Sequence, residues 1–200
     1  MVICAKHIAR RDTVSELNHI GTVTIETQRL ILRRFVWEDA RAMFENWASD
    51  PEVTKYLTWP AHESMDISAM VIEDWIAHYS EPDYYQWAIV RKELQAPIGS
   101  ISVVHHNDRV RKMEVGFCIG RKWWHCGMTS EALSAVIDFL MEVVGAERVE
   151  ACHDPRNLHS GAVMRKCGMQ HEGTQRQAGI NNSGKCDLSW FAILAGDCRR

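Results

Sequence analysis

The clearest pattern in the chain runs from residue 113 to residue 145. Residues 113–119 place Met113, Val115, Phe117 and Ile119 at alternate positions, with Glu114, Gly116 and Cys118 between them. That is the period of a strand with one buried face. A basic turn follows, Arg121-Lys122-Trp123-Trp124-His125-Cys126-Gly127. Apolar residues then recur at Met128, Ala132, Leu133, Val136, Ile137, Leu140 and Val144. This spacing predicts one wide buried helix face, with Ser130, Glu131, Ser134, Asp138 and Glu142 opposite and Gly145 as the stop.

The rest of the chain reads around that unit. Residues 23–34 predict a strand, apolar on both faces at Leu30-Ile31-Leu32. Glu38 and Asp39 open a helix carrying Ala40, Met43, Phe44 and Trp47, and Asp50-Pro51 ends it. A second helix is expected over 65–79, with strands at 85–91 and 98–105. After the long helix come a short strand at 148–152, a loop at 153–157 and a short helix at 158–166 closed by Gly168. Strands at 170–176 and 187–194 finish the chain, joined through Asn181-Asn182-Ser183-Gly184. The order β-α-α-β-β-β-α-β-α-β-β predicts an α/β domain around a mixed sheet. Residues 1–21 lack periodicity and are read as a partly ordered extension, 22–195 as the domain, and 196–200 as a tail.

Composition narrows the function. Two hundred residues with 46% apolar content suit one domain with a full core. A net charge of −3 gives no nucleic-acid footprint. No apolar run is long enough to cross a bilayer, and Lys6, Arg10, Arg11, Asp12 and Glu16 leave no signal-peptide core. The seven cysteines are odd in number and form no C-x-x-C pair, which suits free thiols in a reducing cytoplasm. His105-His106, His125-Cys126 and Cys152-His153 raise the question of a metal. Neighbours in a strand point to opposite faces, and no second ligand pair stands at zinc-like spacing, so no metal is expected.

The turn at 121–127 has its own chemistry. The first N–H groups of a helix lack intrahelical partners, and the dipole makes that end positive. With Arg121 and Lys122 beside it, the turn suits a phosphate or pyrophosphate; a solvated connector is the plainer reading.

Four strings then carry a resemblance to the GNAT acetyltransferase superfamily, in its RimJ/RimL-type N-acetyltransferase branch. Thr27-Gln28-Arg29-Leu30-Ile31-Leu32-Arg33 with Trp37-Glu38-Asp39-Ala40 opens the domain. Glu114-Val115-Gly116-Phe117 marks the central strand, and Gly127-Met128-Thr129-Ser130-Glu131-Ala132-Leu133 the long helix. Pro155-Arg156-Asn157-Leu158-His159-Ser160 and Lys166-Cys167-Gly168-Met169 flank the short helix, with Glu172-Gly173 beyond. One position departs. Where the family carries Q/R-x-x-G-x-G/A, this chain has Lys122, His125 and Gly127, so histidine replaces the first glycine.

The resemblance implies a mixed sheet with splayed central strands, helices on both faces, and acetyl transfer from acetyl-CoA to an amine. It implies that the amides from Lys122 through Trp124, His125, Cys126 and Gly127 to Met128, Thr129 and Ser130 hold the pyrophosphate. The pantetheine arm would pair with Phe117, Cys118 and Ile119, and an N–H of Cys118 or Ile119 would hold the oxyanion. Glu114 is the candidate base, or else a strand-end carboxylate paired with Arg109 or Lys112. Asn157 would hold the pantetheine amide or simply cap the short helix. Ser160 would protonate the leaving thiolate or be an ordinary capping hydroxyl. Trp59, Tyr85 and Trp87 are aromatic candidates for the acceptor pocket, or else core.

The amine decides how strong the base must be. A peptide α-amine titrates near ~7.7–8.0, so roughly a tenth is neutral at pH 7. A lysine near ~10.4 is neutral in only about 0.04% of molecules. A single carboxylate therefore leans toward a protein or peptide N-terminus. A small amine (amino sugar, polyamine or antibiotic) is the alternative, and a CoA-binding module without turnover is a third reading. Partners beyond acetyl-CoA and the acceptor are expected to be none, or a second copy in a homodimer.

Overall fold

The computed structural model describes residues 17–197. Residues 1–16, most of the expected extension, and 198–200 lie outside the described part. The strands are β1 (Ile25–Glu26), β2 (Leu30–Arg33), β3 (Gln86–Arg91), β4 (Ala96–Asn107), β5 (Lys112–Ile119), β6 (Arg148–His153), β7 (Gln170–Asn181) and β8 (Gly184–Leu194). They form one sheet in the order β1-β2-β3-β4-β5-β6-β8-β7. Every pairing is antiparallel except β5 with β6. The helices are α1 (Asp39–Met43), continued by a wider turn over Phe44–Ala48, α2 (Pro51–Thr54), α3 (Met65–His78), α4 (Met128–Phe139), continued over Leu140–Val144, and α5 (Leu158–Lys166).

Two apolar clusters cover the two faces. Met128, Ala132, Leu133, Val136, Ile137 and Leu140 of α4 pack with Met164 of α5 against Met113, Val115, Val149 and Phe191. Met43, Trp47 and Ile72 pack with Phe35, Ala88 and Val90 on the other face. β5 alternates as its sequence predicts: Met113, Val115 and Ile119 are buried beneath α4, and Phe117 packs against that core from a half-buried position. Gly145, at φ 85°, ends α4 in the left-handed conformation that glycine adopts without a Cβ clash.

Some boundaries differ from the sequence reading. The single strand expected over 23–34 is two short strands. Thr27 turns the chain back: its N–H donates to the Leu30 carbonyl at 3.0 Å, and its hydroxyl accepts from the Leu30 N–H at 3.0 Å. Asp50-Pro51 is a start as well as a stop, because the Asp50 carboxylate accepts from the Glu52 N–H at 3.0 Å and caps α2. β7 is longer than expected. It is an edge strand, exposed over most of its length, with register shifts at 171–173 and 175–179, so its residues carry no alternating signal. Residues 17–21 lie against the domain: Leu17 belongs to the larger core, and the Asn18 N–H donates to the Val144 carbonyl at 2.9 Å.

Candidate active site

β5 and β6 start together and then part. They pair only at Lys112–Arg148, Met113–Val149 and Glu114–Glu150. Beyond Glu114 no pairing joins them, although β6 stays on β8 as far as His153. Glu150 fastens the closed end. It is buried, and accepts from Lys112 Nζ at 2.6 Å and from Arg148 Nε at 2.7 Å. The opening has a cause in the neighbouring strand. β4 bulges between Val103 and His105, opposite Val115 and Glu114. An extra residue on one strand raises the local twist, and here it does so where β5 leaves β6.

The gap presents unpaired backbone. The Gly120 N–H donates to the Ile98 carbonyl of the β4 side at 2.8 Å. Alternation then turns Cys118 and Gly116 toward β4, and Phe117 and Ile119 into the gap. The Trp124 indole donates to the Ile119 carbonyl at 2.9 Å, as that direction requires. The groups that face the gap are therefore those of Phe117 and Ile119. Cys118, named with Ile119 as an oxyanion donor, points its amide the other way.

The mouth of the gap is the turn before α4. The Trp123 and Trp124 amides are used locally, donating to Gly120 and Arg121 carbonyls. From His125 to Ser130 the amides find no intramolecular acceptor among the described residues, and α4 has no side-chain cap. His125 (φ 61°) and Gly127 (φ 74°) are both left-handed, so successive N–H groups converge on one concavity. Histidine, standing where the family pattern has glycine, adopts the left-handed conformation that glycine takes readily. Two cations flank it. A Cβ at Gly127 would sit 3.4 Å from Lys166 Nζ and 3.7 Å from the Arg29 guanidinium. Arg29 is held by Glu131, with Nε donating at 2.7 Å. Lys166 has no carboxylate within ion-pair distance among the described residues. A cavity of ≈ 510 Å³ leads from this turn along the open edge of β5, past Thr129, Ser130 and the α5 residues His159, Val163 and Lys166.

A second cavity of ≈ 280 Å³ lies on the other side of the opening. Glu114, Gly116 and Cys118 form its floor with Ser100 and Ser102 of β4, and Tyr56, Leu57, Trp59 and Trp75 form its walls. Glu114 is half-buried and has no ion-pair partner among the described residues; Lys112, one candidate partner, is held by Glu150 instead. Burial and then the nearby Glu150 charge push the Glu114 carboxyl above its ordinary range, against the pull of Lys112 and His105. Cys152 Sγ lies 4.0 Å from Glu114 Oε1, and burial first, then that carboxylate, push its thiol up to about 12. It stays a neutral thiol rather than a competing nucleophile. Asn157 and Ser160 line both cavities, at the junction between them.

A family model for the acetyltransferase (GNAT) domain matches residues 29–170. The chain belongs to the GNAT acetyltransferases. It is 31% identical over 170 residues to the uncharacterized N-acetyltransferase YoaA of Bacillus subtilis, covering 85% of this chain and 96% of that one. A shorter similarity, 34% over 59 residues and 30% of each chain, is to the [ribosomal protein uS5]-alanine N-acetyltransferase of Escherichia coli. Among solved structures, the microcin C7 self-immunity acetyltransferase MccE, in complex with acetyl-CoA and AMP, superposes with a TM-score of 0.76 at 18% identity, covering 84% of this chain and 93% of that one.

Within this GNAT enzyme, an N-acetyltransferase by its relatives, the residues singled out from sequence fall into three groups. Glu114, Phe117, Cys118, Ile119, Trp124, His125, Gly127, Thr129, Ser130, Asn157, Ser160 and Trp59 line one cavity or both. Lys122, Cys126 and Met128 line neither. Lys122 lies over the Trp123 ring, Cys126 faces Trp124's carbonyl, and the Met128 side chain is core. Tyr85 and Trp87 are buried beneath α4, because strand alternation turns Gln86, not its neighbours, toward the smaller cavity. Sequence reading missed Lys166, although His159, Ala162, Val163 and Lys166 stand at one-face helical spacing and all line the larger cavity. It also missed Tyr56 and the buried Asp154, which accepts from the Asn181 amide at 2.8 Å and from Arg156 Nη2 at 2.6 Å.

Proposed function

We propose that this enzyme transfers an acetyl group directly from acetyl-CoA to the α-amine of a peptide or protein N-terminus. One observation carries the reading: a half-buried carboxylate without an ion partner among the described residues, Glu114, stands where the β5–β6 ladder stops. The amides of 125–130, with Lys166 and Arg29, would take the pyrophosphate of acetyl-CoA. The pantetheine arm would run along the edge of β5 and present the thioester at Phe117–Ile119.

Chemistry then follows from the groups in place. The amine in the smaller cavity attacks the thioester carbonyl carbon, and its proton passes to Glu114 directly or through a water. The Ile119 or Phe117 N–H donates to the oxyanion, a role worth about 2.7–4 kcal/mol elsewhere. Collapse breaks the C–S bond, and the thiolate takes a proton relayed through the Ser160 hydroxyl from a water, so that Ser160 ends as it began. A thiol near ~8.5 leaves without much help, so Ser160 matters less than Glu114.

An α-amine suits a single carboxylate of modestly raised pKa, since an appreciable fraction is already neutral near pH 7. The local likeness to the uS5-alanine enzyme supports the same class. A small free amine is the second reading, favoured by the ≈ 280 Å³ size of the acceptor cavity. A panel of N-terminal peptides assayed beside amino sugars, polyamines and aminoglycosides separates them. Mass spectrometry should place the acetyl group on the peptide α-amine, with the same peptide inert once its N-terminus is blocked. Turnover of small amines alone would overturn the peptide reading, and no turnover of either panel would overturn transfer itself.

A further inference from the structure

We propose that His19, His106 and Asp108 form a binding site for a divalent transition metal of the zinc class. The three come from separate places: the segment before β1, the end of β4, and the turn between β4 and β5. His106 Nδ1 lies 2.8 Å from Asp108 Oδ1, and His19 Nε2 lies 3.4 Å from Asp108 Oδ2. One donor atom from each residue lies within 4.8 Å of the others, the one such group of three or more His, Cys, Asp or Glu among the described residues. Ligands at ~2.0–2.1 Å around a tetrahedron stand about 3.4 Å apart, so small shifts close the shell.

The second nitrogen of each imidazole carries the argument further. His19 Nδ1 lies 3.1 Å from the hydroxyl of the buried Tyr85, and His106 Nε2 lies 3.6 Å from Asp83 Oδ2. The Tyr85 hydroxyl thus holds the His19 ring from behind and the Asp83 carboxylate stands behind His106 at ion-pair distance, while the other nitrogen of each ring faces the common centre. That is the outer-shell arrangement that fixes tautomer and orientation in histidine metal sites. Two imidazoles and a carboxylate, with no thiolate, suit zinc and its first-row neighbours rather than calcium or magnesium. Asp108 is 44% exposed, so the fourth position opens to water.

The site is separate from acetyl transfer. His106 pairs in register with Met113, which faces the α4 core, whereas His105 pairs with Glu114. A bound ion would cross-link the segment at 19 to the β4–β5 turn. No sequence motif announces it, because the first ligand stands far from the other two in the chain.

The test uses the full-length untagged chain, stripped with a chelator. Zinc is titrated against a chromophoric competitor, the unfolding temperature is followed, and cobalt(II) is substituted for its visible spectrum. One zinc should bind per chain with a rise in Tm, and cobalt should give d–d bands without a sulfur charge-transfer band. His19→Ala and Asp108→Asn should each weaken binding at least tenfold, and Asp83→Asn by a smaller factor. Asp108 and Asp83 are half-exposed, so those variants keep the test open should His19→Ala fail to fold. No zinc binding, affinity unchanged in Asp108→Asn, or a thiolate charge-transfer band would overturn the site.

Discussion

Two carboxylates near the opening are pushed in opposite directions, and each makes its own prediction. Glu114 sits above its ordinary range because burial comes first and Glu150 second. A base works deprotonated, so kcat/KM should fall as pH drops through an apparent pKa above the ~4.3 of free glutamate. Glu114→Gln should lower kcat by about 10²–10⁴-fold, abolish that limb of the pH profile, and leave the Kd for acetyl-CoA unchanged; steady-state rates and calorimetry check both. Asp154 is held down to about 2, first by hydrogen bonds from Arg156. Its folded pKa lies below the unfolded value near ~3.9, so its stabilisation is complete above that pH and is lost as pH falls toward 2. Arg156 is half-exposed, so the amount is at most about 2 kcal/mol. Urea titrations should show Asp154→Asn destabilised at pH 6, with roughly half of that difference left at pH 3 and little of it at pH 2.

β5 and α5 are the elements that divide the work. β5 buries Met113, Val115 and Ile119 under α4 and turns Glu114, Gly116 and Cys118 toward the smaller cavity. A Cβ at Gly116 would already stand 3.0 Å from Val104 Cγ1. Gly116→Val should therefore raise KM for the amine at least several-fold while acetyl-CoA binds as before, which initial rates at saturating acetyl-CoA will read. α5 presents Lys166 to the turn before α4, where we propose the pyrophosphate binds. Lys166→Ala should weaken acetyl-CoA about tenfold, with less effect at high salt, by calorimetry at two ionic strengths. The α4 and α5 positions were legible because helical spacing and the Gly127 and Asn157 signals agree. The β1–β2 turn was not, because Thr27 replaces the usual Gly or Pro punctuation with a side-chain hydrogen bond. Tyr85 and Trp87 misled because an aromatic pair says nothing about which sheet face is buried; only the register of β3 decides that.

At the scale of the molecule, one sheet changes character at a single point. On one side of Glu114 it is fastened by the Lys112–Glu150–Arg148 cluster; on the other it is open. The strings of the resemblance made the opening legible, whereas its cause, the β4 bulge beside Val104, leaves no mark in a one-dimensional pattern. His125 read as a departure from the family turn, yet its φ of 61° keeps the amides in place, because histidine tolerates the left-handed region. The most direct test is residue-resolved amide hydrogen exchange with and without acetyl-CoA. Protection should rise at Phe117, Ile119 and 125–130, while Cys118 and the β6–β8 ladder stay as they were. Unchanged exchange at Phe117, Ile119 and 125–130 under saturating acetyl-CoA would contradict the opening between β5 and β6 as the seat of the reaction.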